Sequence, residues 1–321
     1  MEGLQTTWGW MVATYLFLGG LGAGTFCTTG VLYLGMRKPS LVHAIGAWIS
    51  ALCLGFGALL LLADVGQPWR AIVLFKSFVN MSSWMAIGAW LLFAGIVVDG
   101  LFALVSTAPV LRWLETHAPG VAKHSPTLRG VLAGVGIPLN LAIAVYTGLL
   151  LSTPQFRPLW HNPVLPVLFL TSALDVGIAL LGGIAAFTDR QGDLVAIRRR
   201  LEVASGVAIA LEAGALVWFF ASARGISSYA LSATDLVLSG PLALPFWLLV
   251  VGLGLGLPLV LAIVQARGLW EKVPLAVPVL ASCLALLGGL SLRFVIVLGG
   301  VAQPLASPNL LQVLQGVQFL R

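Results

Sequence analysis

Residues 41–63 read LVHAIGAWISALCLGFGALLLLA, a run of 23 residues without an aspartate, glutamate, lysine or arginine. A helix that crosses the hydrocarbon core of a bilayer needs about 20 mostly apolar residues, so this run is long enough to span a membrane. Seven other stretches have the same character. The eight predicted spans are residues 9–36, 41–63, 83–107, 128–152, 163–188, 201–223, 242–265 and 273–300.

The composition of the whole chain supports the same interpretation. Of its 321 residues, 59% are hydrophobic and 9% are charged, whereas a soluble domain carries about a quarter charged residues. The apolar runs are continuous rather than alternating, and lipid does not tolerate open sheet edges, so the spans are predicted to be helices. We therefore predict an all-α polytopic membrane protein. It forms a single integral domain over residues 1–321, with four-helix bundles at about 9–152 and 163–300 and an outer tail at 301–321.

The distribution of basic residues predicts the orientation of the chain. Cytoplasmic loops are the ones rich in lysine and arginine, which places both termini on the outer, periplasmic side. The net charge of +6 then has a topological cause and indicates no nucleic-acid partner. The N-terminus lacks the basic region of a signal peptide, so the first span is expected to be retained. The basic residues of the connections between spans 1–2, 3–4, 5–6 and 7–8 are Arg37, Lys38, Arg112, Lys123, Arg129, Arg190, Arg198, Arg199, Arg200, Arg267 and Lys272.

The sequence offers few ligands for a resident redox group. Its three cysteines stand alone in apolar spans, without a C-x-x-C motif for zinc or an iron–sulfur cluster. Its four histidines lie at span ends or in loops, and not as the pairs within neighbouring spans that a membrane haem needs. We expect no metal, haem or cluster in this protein, which would then need a partner that carries the electrons.

Five ionisable residues fall in or at the ends of spans, where charge is costly and usually functional. Asp64 ends the second span. Two interpretations of the other four remain open, namely a proton path or buried ion pairs in which Arg293 neutralises an acid. These four are Asp99, Asp175, Glu212 and Arg293.

Polar and aromatic groups of the first four spans lie at one level near their outer ends. A quinone head group needs donors to its two carbonyls, an apolar wall and a proton route, and this level offers all three. Trp10 lies beside it, at the depth of an interfacial aromatic belt. The candidate quinone site consists of Tyr15, Asp64, Trp84, Tyr146 and Trp10.

The glycine run YLFLGGLGAGTF at 15–26 does not have the G-x-G-x-x-G spacing of a nucleotide-binding loop, and it lies inside an apolar span. Gly20 and Gly24 instead form a G-x-x-x-G face, which lets membrane helices pack closely.

Six motifs carry a resemblance to a known family. The protein resembles the polysulfide reductase membrane subunit and the NrfD-type quinone-interacting proteins over essentially all eight spans. The motifs are WGWMVATYLFLGGLGAG at 8–24, LLADVGQPWR at 61–70, FVNMSSWMAIGAW at 78–90, VYTGLLLS at 145–152, PLWHNPVLPVLFLTSAL at 158–174 and GGLSLRFVIVLGG at 288–300.

The resemblance implies a haem-free subunit of a bacterial or archaeal cytoplasmic membrane that exchanges electrons with menaquinone or ubiquinone. Its partner would be a ferredoxin-like subunit with 4Fe-4S clusters, docked on the outer face and connected to a catalytic subunit such as a molybdopterin enzyme. By motif, Tyr146 matches the family's quinone-binding tyrosine and Asp64 an acidic position for proton exchange. Tyr15 stands where relatives have a histidine, and Val12 replaces a polar position of some relatives.

Two other functions remain open from the sequence. A secondary transporter would use the four intramembrane charges, with GLGLGLP at 252–258 as its candidate helix break. A passive anchor would only tether an outer enzyme.

Overall fold

The computed structural model describes residues 9–37, 39–64, 84–154, 157–188, 194–226, 228–266 and 276–302, and the regular secondary structure of these residues is helical. The helices are α1 Trp10–Met36, α2 Leu41–Asp64, α3 Trp84–Ser106, α4 Ala108–His117, α5 Pro119–Ser152, α6 Leu165–Thr188, α7 Val195–Ile226, α8 Ser228–Leu238, a short α9 Ala243–Pro245, a π-helix Phe246–Gly256, α10 Leu257–Ala266 and α11 Ala276–Val301.

The prediction of an all-α protein with eight spans is confirmed. Eight helices within the described ranges are long and apolar enough to cross a membrane. They are α1, α2, α3, α5, α6, α7, the composite helix from α9 to α10, and α11. The predicted tail at 301–321 lies almost wholly outside the described residues.

Two short helices, α4 and α8, and one long extension, at the start of α5, were not predicted. The helix α4 has no buried residue, and the ring of Trp113 stacks on that of His117 with centroids 4.8 Å apart. The helix α5 begins at Pro119, nine residues before the predicted start of its span. A rule based on 20 apolar residues misses such segments because they are short or polar, although proline in the first turn of both α4 and α5 favours a helix start.

The stretch GLGLGLP at 252–258 is helical and does not form a break. It runs from the π-helix directly into α10. A Cβ atom added to Gly254 would lie 2.5 Å from the Cα atom of Gly288, so this glycine permits close contact with α11. The feature that suggested a transporter is therefore a packing feature.

The helices α1, α2, α3 and α5 contact one another in a ring, and α6, α7, the composite seventh span and α11 contact one another in a second group. The helix α1 also packs against α6 and α11. Of the residues in its most apolar 18-residue stretch, 72% are buried inside the protein. We call the end of the helices at which α1 begins and α5 finishes the tyrosine end. The opposite end, with Arg37, Arg112 and Arg199, is the arginine-rich end.

Glycines set the contact between α1 and α6. A Cβ atom on Gly24 would lie 1.7 Å from the carbonyl oxygen of Ala173, and one on Gly177 would lie 2.2 Å from the carbonyl carbon of Gly24. Gly20 is less constrained, since its Cβ would meet Nη2 of Arg293 at 3.2 Å and Cβ of Ala173 at 3.5 Å. The two backbones touch at Gly24, which joins the two groups of helices.

The loop before α6 caps the end of α11. Arg157 donates hydrogen bonds to the carbonyl oxygens of Gly300 (2.8 Å) and Val301 (3.2 Å), and Trp160 Nε1 donates to that of Ile296 (2.8 Å). The last carbonyls of a helix have no partner within it. Arg157, directly before the motif PLWHN at 158–162, therefore caps the tyrosine end of α11, and Trp160 of that motif holds the preceding turn.

Candidate functional site

Tyr15 and Tyr146 line one cavity at the tyrosine end, between α1, α2, α3 and α5. Both residues are buried, with 8% and 4% of their surface exposed. Tyr15 lies five residues after the start of α1 and Tyr146 six residues before the end of α5, which places both about 8–9 Å inside the helix ends. The cavity has a volume of about 20 Å³, and its lining residues are Tyr15, Leu16, Gly19, Gly57, Leu61, Leu92, Tyr146, Thr147 and Leu150.

A glycine of α3 makes room for the phenol of Tyr146. A Cβ atom on Gly88 would lie 1.8 Å from Cζ and 1.9 Å from the hydroxyl oxygen of Tyr146. On the other side, a Cβ atom on Gly148 would lie 2.4 Å from the Cα atom of Pro166. The ring of Tyr146 therefore lies directly against the backbone of α3, while α5 is held close to α6 through Gly148.

Small residues also bring α1 and α2 close together around Tyr15. A Cβ atom on Gly57 would be 3.6 Å from the carbonyl oxygen of Tyr15, and one on Gly19 would be 3.4 Å from Cγ2 of Thr147. Three helices thus meet at the level of Tyr15 with glycine at the contact points. Leucines supply the remaining apolar walls of the cavity.

The other three residues of the predicted quinone site are placed differently. Trp10 and Trp84 are 59% and 46% exposed and do not line the cavity of the two tyrosines. Asp64 ends α2 at the tyrosine end, but its side chain lies outside the described residues.

Asp99 is the centre of a polar network that connects α1, α2, α3 and α5. Its carboxyl is fully buried and accepts a hydrogen bond from Nδ2 of Asn140 at 2.9 Å. The hydroxyl of Ser50 lies 2.6 Å from the other carboxyl oxygen and 2.8 Å from the carbonyl oxygen of Gly22. Asn140 also donates to the carbonyl oxygen of Gly136 at 3.0 Å.

The number of available protons indicates the state of Asp99. A hydroxyl has one hydrogen to donate, yet Ser50 lies within hydrogen-bond distance of two acceptors. Both contacts are satisfied when Asp99 is protonated and donates to Ser50, which then donates to Gly22. A neutral acid also avoids the cost of an unpaired buried charge.

Arg293 lies in a second buried cluster, between α1, α6, α7 and α11. Its guanidinium donates to the hydroxyl of Ser172 and to the carbonyl oxygens of Phe169 (3.2 Å) and Gly289 (3.3 Å). It also lies over the ring of Phe169, 4.8 Å from the centroid. Arg293 thus forms a hydrogen-bonded connection between α6 and α11.

The acids of this cluster are Asp175 and Glu212, both buried. Arg293 is the cation beside both carboxyls. A carboxylate can only accept hydrogen bonds, so a direct contact between the two carboxyls requires one proton on the pair and leaves a single negative charge for Arg293 to neutralise.

The structure thus brings Tyr15 together with Tyr146, and Asp175 and Glu212 together with Arg293, while Asp99 lies in a separate network. Sequence reasoning missed Gly88, Ser50 and Ser172, which position these groups. Gly88 lies within the quoted motif FVNMSSWMAIGAW, but a glycine in an apolar span gives no sign of the side chain that it accommodates. No group of three or more potential metal ligands occurs among the described residues.

Comparison with known proteins extends the resemblance to the whole sequence. The family model for polysulphide reductase, NrfD, matches residues 2–305. The protein is similar to one chain of the polysulfide reductase of Wolinella succinogenes, at 32% identity over 91% of this sequence and 94% of the relative. It is also similar to protein NrfD of Escherichia coli, at 30% identity over 91% of this sequence and 94% of the relative. One subunit of the selenate reductase of Mesobacillus selenatarsenatis is 24% identical over 55% of this sequence and 47% of the relative.

Proposed function

Because the protein belongs to the polysulphide reductase NrfD family and is a membrane subunit of a reductase complex, we propose that it exchanges electrons between the membrane quinone pool and an iron–sulfur partner subunit. The observation that carries the proposal is the single cavity shared by Tyr15 and Tyr146. Two phenols beside one apolar cavity are the donors that the two carbonyls of a quinone need.

The chemistry of the lining residues fits a quinone head group. Each phenol can donate a hydrogen bond to a carbonyl oxygen, or accept one from a quinol hydroxyl. Leu61, Leu92 and Leu150 form an apolar wall for the ring. A quinol supplies two electrons and two protons, and Asp64 is the proposed exchanger of these protons at the tyrosine end.

Binding requires the leucines to move. A cavity needs about 10–15 Å³ to hold one water molecule, so about 20 Å³ accommodates water but not a ring. The three leucines are half-buried, and we propose that a change of their rotamers widens the cavity. The ring of Tyr146 lies directly against Gly88, so it has no space to move toward α3.

The electron carriers of the complex are proposed to lie in other subunits. The relatives from Wolinella succinogenes and Mesobacillus selenatarsenatis are each named as one part of a reductase, which implies further subunits in those complexes. For this protein, we propose a ferredoxin-like subunit with 4Fe-4S clusters at the outer face, connected to a catalytic subunit such as a molybdopterin enzyme. The quinone would be menaquinone or ubiquinone. Trp10 and Trp84, exposed at the tyrosine end, provide apolar surface there.

The test is quinol-analogue oxidation by the purified complex carrying Tyr146→Phe, Tyr15→Phe or Asp64→Asn. A hydrogen bond to a group that becomes charged contributes about 1.5–3 kcal/mol, so each phenylalanine variant should lower kcat/KM by about tenfold or more. Tyr33→Phe is the matched control, since Tyr33 donates to the carbonyl oxygen of Pro126 (3.3 Å) at the arginine-rich end and should retain turnover.

Wild-type turnover and unchanged inhibitor affinity in both tyrosine variants would refute the site. A passive anchor predicts this result, because it requires no residue of this protein to contact the quinone.

A further inference from the structure

A groove separate from the tyrosine cavity opens between α1, α5, α6 and α7, toward the arginine-rich end. It has a volume of about 400 Å³, within the range of about 300–1,000 Å³ of small-ligand sites. Cys27 and Leu201 are buried at its base, 4% and 2% exposed, while Val31 is 59% exposed at its edge. The lining residues are Cys27, Thr28, Val31, Leu32, Gly35, Ile137, Leu141, Leu174, Ile178, Arg200, Leu201 and Ala204.

The interior of the groove is apolar. Thr28 donates its hydroxyl hydrogen to the carbonyl oxygen of Gly24 at 2.8 Å, and Cys27 Sγ lies 3.6 Å from the carbonyl oxygen of Ile137. These two side chains of the interior therefore have partners within the protein, and the other polar side chain of the lining, Arg200, lies at the mouth. A polar solute would find few hydrogen-bond partners in this interior, whereas a hydrocarbon chain needs none.

The length of the groove corresponds to one leaflet. Cys27 and Gly35 are eight residues apart on α1, which is about 12 Å along the helix. Half of the hydrocarbon core is about 15 Å thick. The groove therefore reaches from the headgroup level almost to the middle of the membrane, which suits one acyl chain.

Positive charge lies at the headgroup end. Arg200 is exposed at the mouth of the groove, and its Nη1 would be 3.7 Å from a Cβ atom on Gly35. Arg199 precedes it, and Arg37 directly follows α1, two residues after Gly35. Glu202 is the acid nearby on α7, but it lines a different pocket. Basic clefts between membrane helices bind anionic lipid headgroups.

From these contacts we infer that the groove binds one anionic phospholipid, with an acyl chain between α5 and α7 and its phosphate on Arg200. The tail of a quinone is the other apolar candidate. It is disfavoured because an isoprenoid tail carries no negative charge for Arg200, which is exposed at the mouth of the groove. The lipid would fill the seam between the two groups of helices, where α1 and α6 meet.

The experiment compares phosphatidylglycerol with phosphatidylcholine of identical acyl chains. For each lipid, it measures how much the purified complex retains. It also measures the melting temperature of the delipidated complex after that lipid is added back. The wild type should retain about one phosphatidylglycerol at this site and melt at a higher temperature with it than with phosphatidylcholine. Arg200→Gln should weaken phosphatidylglycerol binding about fivefold, which corresponds to about 1 kcal/mol for one basic residue near the headgroups. Ala204→Phe, which fills the groove, should abolish retention.

Arg112→Gln is the matched control, because Arg112 is exposed on α4 at the same end and does not line the groove. It should bind phosphatidylglycerol as the wild type does. Arg200→Gln tests the proposal even if Ala204→Phe fails to fold. Equal binding of the two lipids, unchanged binding in Arg200→Gln, or a co-purified quinone that is lost from Ala204→Phe while phosphatidylglycerol is retained would each overturn the proposal.

Discussion

The phenol of Tyr146 occupies the space that a side chain at position 88 would need. A Cβ atom on Gly88 would lie 1.8 Å from Cζ of the Tyr146 ring, and real Cβ atoms do not approach another carbon so closely. The ring of Tyr146 on α5 therefore fills the space that is left because residue 88 of α3 has no side chain. The two residues determine where one wall of the tyrosine cavity lies.

Gly88→Ala should damage quinol-linked activity as strongly as Tyr146→Phe, because the methyl group displaces the ring from the cavity. Turnover and inhibitor affinity of the purified complex are the measurements. Gly100→Ala is the matched control on the same helix, since a Cβ atom there meets nothing within 4 Å. If Gly88→Ala binds the inhibitor as the wild type does, the position of the ring does not matter for binding.

Gly24→Ala should destabilise the fold far more than Gly20→Ala. The new methyl group at position 24 would overlap the carbonyl oxygen of Ala173, so α1 and α6 must separate. Overpacking of a well-packed interior costs about 1–3 kcal/mol or more. At position 20 the obstacle is the end of the Arg293 side chain, which can shift by a few tenths of an ångström.

The yield of assembled complex and its melting temperature distinguish the two glycine variants. Gly134→Ala is the control, because position 134 is open. Equal effects at positions 20 and 24 would show that backbone contact is not what limits the approach of α1 to α6.

Asp99→Asn should be tolerated, whereas Asp99→Leu should not. An asparagine can accept from Asn140 and donate to Ser50, as a protonated aspartate does. A leucine leaves Asn140 and Ser50 without their partner, and an unsatisfied buried group costs about 1–3 kcal/mol. Unfolding of the purified protein in mixed detergent would measure the difference. Equal destabilisation by both substitutions would indicate that Asp99 is charged.

Arg293→Gln should strongly destabilise the protein, because it leaves the shared charge of Asp175 and Glu212 without a cation. Removal of one partner from a buried ion pair costs about 3–5 kcal/mol. Addition of Glu212→Gln to the same protein removes that charge and should recover part of the lost melting temperature. A double variant no more stable than the single one would show that neutralisation is not the role of Arg293.

The hydrophobic pattern was sufficient for the spans and insufficient for the shorter elements. Eight apolar runs predicted eight spans because every backbone group in lipid must be satisfied within its helix. The helix α4 lacks such a run, and its Trp113 and His117 stack on each other without a buried partner. The extension of α5 to Pro119 is polar, and pattern reasoning ended the span at its apolar part.

The sequence predicted less about which helices and side chains contact one another. The G-x-x-x-G spacing of Gly20 and Gly24 indicated a packing face, but not that the partner would be Ala173 on α6. Tyr15 and Tyr146 could be assigned the same depth from their distances to the span ends. Only the packing of α1, α2, α3 and α5 places them on one cavity and leaves Trp10 and Trp84 outside it.

The sequence by itself determined that this protein is a bundle of membrane helices, because long apolar runs have no other stable form in lipid. Its motifs also indicated the family. The tertiary structure decided which polar groups meet: Asp99 with Ser50 and Asn140, and Arg293 with Ser172. The physical reason is that a helix fixes the depth of a side chain through its rise, while the direction in which that side chain finds a partner depends on how neighbouring helices pack.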